Sequence, residues 1–158
     1  MSGAIDRFLE SAKVLGPDVE VRRFPEGTKT AADAARAVGC DIGQIVKSLV
    51  FMADGRAVLA LTSGANRVDT AKLAVLLGAA QVRRANADEV RAATGYAIGG
   101  TPPFGHPRPM PAFIDQDLFG YEEIWAAAGT PDSVFRTTPE ELRTAAGAGP
   151  ADFKERRT

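Results

Sequence analysis

Ile45-Val46-Lys47-Ser48-Leu49-Val50-Phe51, then Ala53-Asp54-Gly55-Arg56, then Ala57-Val58-Leu59-Ala60-Leu61-Thr62 decide the fold, because they read as two apolar strands joined by a tight turn. The first run is β-branched and aromatic enough for a partly buried strand. Asp-Gly between two such runs supplies the left-handed residues that a short hairpin needs. A hairpin therefore stands at the centre of the chain. One residue breaks its apolar character. Lys47 carries an ammonium into the first strand, and stranding that charge without water or a partner costs several kcal/mol. The lysine either snorkels from a sheet edge or faces a polar cleft, and the strand alone does not choose.

Outward from the hairpin, helices and strands alternate. Ile5, Phe8, Leu9, Ala12 and Leu15 recur at helical spacing, and Gly16-Pro17 ends that helix. Val19 to Phe24 alternates as a strand, Pro25 to Lys29 is a loop, and Thr30 caps a helix over Ala31 to Val38 that Gly39 closes. Beyond the hairpin, Ser63-Gly64-Ala65-Asn66-Arg67 forms a polar loop before a helix from Asp69 or Thr70 to Leu77. A short strand, Gln81 to Arg84, precedes a capped helix from Asn86 to Thr94. Next comes a stiff loop, Gly99-Gly100-Thr101-Pro102-Pro103-Phe104-Gly105-His106-Pro107. Ala112 to Asp115 is a strand, Gln116 to Phe119 a helical turn, and Glu123 to Ala128 pairs with Ser133 to Arg136 around Gly129-Thr130-Pro131-Asp132. Thr138-Pro139-Glu140-Glu141 opens a last helix, and the polar tail from Gly147 is expected to fray. The pattern predicts one mixed α/β domain over residues 1–158, its core between 19 and 147, with a largely antiparallel central sheet surrounded by helices.

Composition narrows the function. No apolar run is long enough to span a bilayer, and the N-terminus lacks a signal-peptide core, so no membrane partner is expected and a cytoplasmic location is. A formal charge of −1 gives no field to gather duplexes, and no docking helix is recognisable, so DNA is not an expected partner. A protein that grips only the end of an RNA remains compatible. Most of the basic groups (Arg22, Arg23, Arg67, Lys72, Arg83, Arg84, Arg91) read as solvated faces balanced by Asp69, Asp88 and Glu89. Cys40 and His106 are the only residues of their kinds, too few for a zinc site of about three or four protein ligands. Neither metal nor organic cofactor is expected. Cys40 reads as buried filler rather than a nucleophile.

Several catalytic classes drop out with their motifs. There is no Gly-x-x-x-x-Gly-Lys-Ser/Thr phosphate loop, no Gly-x-Gly-x-x-Gly dinucleotide spacing, and no Gly-x-Ser-x-Gly elbow to serve a triad on His106. Loop structure, ligand contact and general base all stay open for that histidine. What remains is a strand lysine and a rigid loop able to present backbone N–H groups. That combination recognises an anionic or carbonyl-bearing ligand without a metal.

A longer set of motifs occurs in order between Val19 and Leu142. It comprises Thr28-Lys29-Thr30-Ala31-Ala32-Asp33-Ala34-Ala35 with Val38-Gly39, Gly43-Gln44 leading into the Lys47 strand, Ser63-Gly64-Ala65-Asn66-Arg67-Val68-Asp69, Thr94-Gly95-Tyr96-Ala97-Ile98 leading into the stiff loop, and Ala128-Gly129-Thr130. On these motifs the chain resembles the YbaK/prolyl-tRNA synthetase editing-domain superfamily of aminoacyl-tRNA deacylases. The resemblance implies a free-standing domain that hydrolyses the ester of mischarged tRNA in trans, as translation quality control. Its partners would be the tRNA acceptor end and an aminoacyl-tRNA synthetase. It also implies that Lys47 lies in the pocket and that Gly99, Gly100 and Thr101, followed by Pro102 and Pro103, form the loop whose N–H groups hold the aminoacyl carbonyl. Substrate contacts are implied at Thr30, Ser63, Gly64, Pro102, Pro103, Phe104, Gly105, His106, Gly129, Thr130 and Asp132. The substrate's own groups would activate water, and an ester needs oxyanion stabilisation more than a strong base. Many relatives carry Ser-Ala-Gly where Ala127-Ala128-Gly129 stands here, so this position offers no hydroxyl, and Asp132 is the nearby polar group. A second reading, of a different class, is a non-catalytic module that binds an aminoacyl-adenosine-like ligand or a tRNA end in the same pocket. Neither reading names the amino acid, because pocket volume decides it and a methylene is worth only about 1–3 kcal/mol.

Overall fold

Asp54 at φ +48° and Gly55 at φ +83° take up the paired left-handed conformations of a tight hairpin. The Asp54 carboxylate also accepts the Ala80 and Gln81 N–H groups at 3.0 and 2.9 Å, which ties the turn to a neighbouring segment. The computed structural model describes residues 3–15, 18–28 and 30–156. In chain order its elements are α1 (Ala4–Leu15), β1 (Val21–Arg23), α2 (Ala31–Val38), β2 (Ile45–Ala53), β3 (Arg56–Ser63), α3 (Thr70–Leu77), β4 (Val82–Arg84), α4 (Ala87–Thr94), β5 (Ala112–Asp115), β6 (Ile124–Ala127), β7 (Ser133–Thr137), α5 (Pro139–Ala146) and β8 (Gly149–Ala151). Short 3₁₀ turns at Ile42–Gln44 and Gln116–Gly120 complete the set. The predicted stops at Gly16-Pro17 and the loop residue Lys29 lie outside the described residues.

Helix ends follow the local chemistry. Thr30, Asp69, Asn86 and Thr138 each cap a helix by accepting a first-turn N–H, and Asn86 with Glu89 forms a reciprocal capping box. The strands form one mixed sheet in the order β1-β7-β6-β2-β3-β5-β8. β2 pairs antiparallel with β3 from Val46↔Ser63 to Ala53↔Arg56. Its other edge is shared between two strands. Ile45 and Val46 pair in parallel with Trp125 and Ala126 of β6, while Phe51 to Ala53 pair antiparallel with Arg84 to Val82 of β4. Between those two ladders, Lys47 to Val50 have only β3 as a strand neighbour among the described residues. The sheet therefore carries a notch at its centre, and the lysine sits in it.

The core extends past both predicted limits. Phe8 and Ala12 of α1 are buried, and Phe8 packs against Phe104 and Phe135 with ring centroids 5.1 and 4.9 Å away. The tail does not fray. β8 adds to β5 in parallel through Phe113↔Gly149, Ile114↔Pro150 and Asp115↔Ala151, and Phe153 is only 1% exposed among Val58, Ala60 and Leu73. A single buried phenylalanine and an open sheet edge anchor a segment whose polar composition pointed the other way.

Candidate active site

A cleft of about 720 Å3 opens at the notch. Because β2 lacks a neighbour there, both faces of the strand reach it: Lys47 and Leu49 from one, Ser48 and Val50 from the other. The start of α2 contributes Thr30 and Ala31, β6 contributes Trp125 and Ala126, and the stiff loop contributes Ile98, Gly99 and Thr101. Arg84, the last residue of the β4 ladder, is the second cation among the described lining residues, and none of them is a carboxylate.

Lys47 is half-buried, and its Nζ donates to the Asn66 carbonyl at 2.6 Å. Burial pushes its pKa below the ordinary lysine value, the nearby cations Arg84 and Arg67 push the same way, and Asp115 opposes them. An ammonium has three N–H donors, so one carbonyl leaves two for a ligand. Ser48 offers a second unspent group. Its Oγ is the one buried side-chain polar atom without a partner among the described residues. Leaving a buried hydroxyl unmatched costs about 1–3 kcal/mol. Ser48 carries no signal in sequence, because its isolation depends on where β4 and β6 stop.

The stiff loop divides into a donor part and a packing part. Ala97 to Gly100 form a turn closed by the Gly100 N–H donating to the Ala97 carbonyl at 3.0 Å, with Gly99 at φ +86° in the position that demands glycine. The Gly100 N–H is therefore engaged within the loop's own turn. The N–H groups of Gly99 and Thr101 make no hydrogen bond among the described residues, and both residues line the cleft. A Cβ on Gly100 would lie 2.8 Å from the Thr130 Cα and carbonyl carbon, so Gly100 is there for close backbone approach.

Beyond Thr101 the loop turns inward, and Pro102 to His106 lie outside the cleft lining. Pro102, Pro103 and Phe104 are buried, and Phe104 belongs to the aromatic cluster with Phe8 and Phe135. Gly105 lets the loop pass Ser11, whose Cβ is 2.6 Å from where its own would be. His106 Nε2 bonds the Pro102 carbonyl at 2.8 Å, and burial lowers the pKa of the ring against the raising effect of that bond. The imidazole staples its own loop through that bond.

The other implied contacts divide in the same way. Gly64 lines the cleft and packs against Ala31. Ser63 is buried in β3, its Oγ donating to the Gly43 carbonyl at 2.7 Å. Gly129, at φ +119°, makes room for the Ala4 carbonyl. Thr130 donates to Asp132 at 2.6 Å and Arg23 pairs with the same carboxylate at 3.1 Å, and these bonds, Thr130 first, lower its pKa. Asp132 is thus engaged within its turn and lies outside the cleft lining. The structure brings together Lys47, Gly99, Thr101, Thr30 and Gly64, and adds Ser48, Arg84 and Trp125. Arg83 is held by Glu89 through two bonds of 2.7 Å, and the pair draws Glu89 down to a pKa of about 2. Arg84 and Arg67 have no ion pair among the described residues, and Arg84 rests over the Phe51 ring at 5.9 Å.

Comparison with known proteins agrees with this geometry. The aminoacyl-tRNA editing domain family matches residues 25–145. A solved structure of a candidate trans-editing enzyme for prolyl tRNA synthetase superposes with a TM-score of 0.92 at 48% identity, covering 98% of this chain and 99% of that one. The candidate Cys-tRNA(Pro)/Cys-tRNA(Cys) deacylase EbsC of Enterococcus faecalis is 28% identical over 137 residues, covering 86% of this chain and 83% of the relative. The proline–tRNA ligase of Lactobacillus gasseri is 35% identical over 135 residues, which is 84% of this chain and 23% of the ligase. With its family match spanning the α2, notch and loop elements that build the cleft, the chain belongs to the aminoacyl-tRNA editing domain family.

Proposed function

We propose that the protein is a trans-acting aminoacyl-tRNA deacylase, which hydrolyses the ester of mischarged tRNA in translation quality control. The observation that carries the reading is the convergence, in one cleft with no carboxylate among its described lining residues, of unspent donors from Lys47 and the Gly99 and Thr101 N–H groups. Donors fixed in advance around a developing oxyanion supply a few kcal/mol of transition-state stabilisation. Gly99 and Thr101 are placed to hold the aminoacyl carbonyl, and Lys47 with Arg84 to meet the terminal-adenosine phosphate. No carboxylate or imidazole is among the described residues that line the cleft, which favours activation of water by the substrate's own groups. The small apolar walls, Ala31, Ala34, Ala126 and Val134, suit a small uncharged side chain on the amino acid. No helix among the described residues is long and apolar enough to cross a membrane, and the role in translation assigns the protein to the cytoplasm.

The test is a panel of mischarged tRNAs incubated with the pure protein. Turnover, fastest for small uncharged amino acids and slowest for lysyl and arginyl esters, is the expected result. Saturable binding without release would replace the enzyme by a binding module for the aminoacyl-adenosine end. Activity is also expected to survive EDTA, because the chain has one histidine and one cysteine and a zinc site needs about three or four protein ligands. Loss of activity with EDTA and its return with a divalent ion would overturn that expectation.

A further inference from the structure

We infer that the C-terminal segment is part of the site: through Asp117 and Asn66, Lys154 fixes the carbonyl on which Lys47 rests, which makes Lys154 and Asn66 positioning residues for that lysine. Among the described residues Lys47 has no carboxylate partner, and its one bond is to the main-chain carbonyl of Asn66, so the place of the ammonium depends on the place of that loop. The Asn66 side-chain amide spans two carboxylates, donating to Asp115 Oδ2 and Asp117 Oδ2 at 2.9 Å each. Asp115 is 2% exposed and also accepts the Ser63 N–H at 3.1 Å, so it is fixed from β3. Asp117 is fixed from the tail, with Lys154 Nζ bonded to its Oδ2 at 2.6 Å.

Two carboxylates meeting on one amide repel each other, and Lys154 is the cation that makes the meeting stable. Its own position is set by main-chain bonds. Val68 bridges to Lys154, the Glu155 N–H donates to the Arg67 carbonyl at 2.8 Å, and the Asp69 N–H donates to the Phe153 carbonyl at 2.8 Å. Lys72 Nζ donates to the Lys154 carbonyl at 2.8 Å. Buried Phe153 anchors the whole. The tail and the 63–69 loop are therefore one braced unit, and its innermost product is a carbonyl aimed at the lysine of the cleft. The charged groups that bear on Lys47 are Arg84 and Arg67, which oppose its charge, and Asp115, which supports it.

The inference rests on the deacylase reading only for its activity readout. Lys154→Met is expected to lower kcat/KM on a mischarged aminoacyl-tRNA by about three- to tenfold, with the melting temperature held, and Lys154→Arg to restore it. In a Lys47→Ala background the same Lys154→Met change should cost less than about twofold, since the residue it positions is gone. Asp117→Asn, which keeps size and removes charge, should follow the same pattern and serves if Lys154→Met does not fold. Independently of substrate, the 13Cε resonance of Lys47 in lysine-labelled protein should titrate higher in Lys154→Met, toward an ordinary lysine, and return with Lys154→Arg. Equal losses in both backgrounds, full activity in well-folded Lys154→Met, or an unmoved Lys47 titration would overturn the inference. A wild-type protein without turnover would sink the deacylase reading, and the Lys47 titration would then decide the brace alone.

Discussion

Lys47→Ala is expected to reduce deacylation by at least about tenfold while leaving the fold intact. The lysine spends one donor on the Asn66 carbonyl and keeps two for the cleft, where Arg84 is the only other cation among the described lining residues. Its loss removes a charge from the place where an ester oxygen or a phosphate becomes more negative, a loss felt more in kcat/KM than in folding. Stability points the same way. The fold lowers the pKa of Lys47, chiefly by burial, so the charged form is penalised in the native state throughout the range below that lowered value. The penalty fades only as pH rises through it, and alanine abolishes it at neutral pH. A thermal melt unchanged or slightly raised, beside single-turnover rates that fall, is the expected pair of results. Wild-type rates in a well-folded Lys47→Ala protein would remove the lysine from the mechanism.

What could be read from the chain alone was whatever depends on near neighbours. Thr30 and the capped start at Asn86 were legible because a cap is a relation between residues three apart, the starts at Asp69 or Thr70 and at Thr138-Pro139 were legible to within a residue, and Asp54-Gly55 was legible because a hairpin turn states its own backbone requirement. Lys47 was legible because an ammonium in an apolar strand calls for a reason. Ser48 was not. Its hydroxyl is ordinary in sequence and becomes orphaned only because β6 ends its pairing at Val46 and β4 begins at Phe51. The tail was hidden for a similar reason, since one Phe153 among polar residues carries little signal until β5 offers it an edge. Within the stiff loop, spacing identified glycines and prolines, and only the tertiary fold separates Gly99, which needs its φ, from Gly100, which needs its missing Cβ.

That separation makes Gly100 the stronger test of the loop. A Cβ there would sit 2.8 Å from two backbone atoms of Thr130 and 3.0 Å from the Pro131 nitrogen, none of which can swing aside like a side-chain tip. Either the 97–101 turn or the 129–132 turn must move. The latter is held by Thr130, Asp132 and Arg23 and by the Thr28 bonds to the Pro131 carbonyl, so the loop is the part that yields. Its displacement carries the Gly99 and Thr101 N–H groups away from the carbonyl they would hold, and a misplacement of about 1 Å can cost about 100-fold. Gly100→Val is therefore expected to lose about 100-fold in single-turnover rate, and Gly100→Ala less, although neither removes a functional group. His106→Ala breaks the bond to the Pro102 carbonyl and the edge contact with the Tyr96 ring, both behind the cleft, and should cost stability before rate, with less than about tenfold lost in turnover. Single-turnover deacylation of the three variants, each checked by its melt, tests that order. A severe loss in His106→Ala beside a tolerant Gly100→Val would make the histidine the proton carrier and end the substrate-assisted reading.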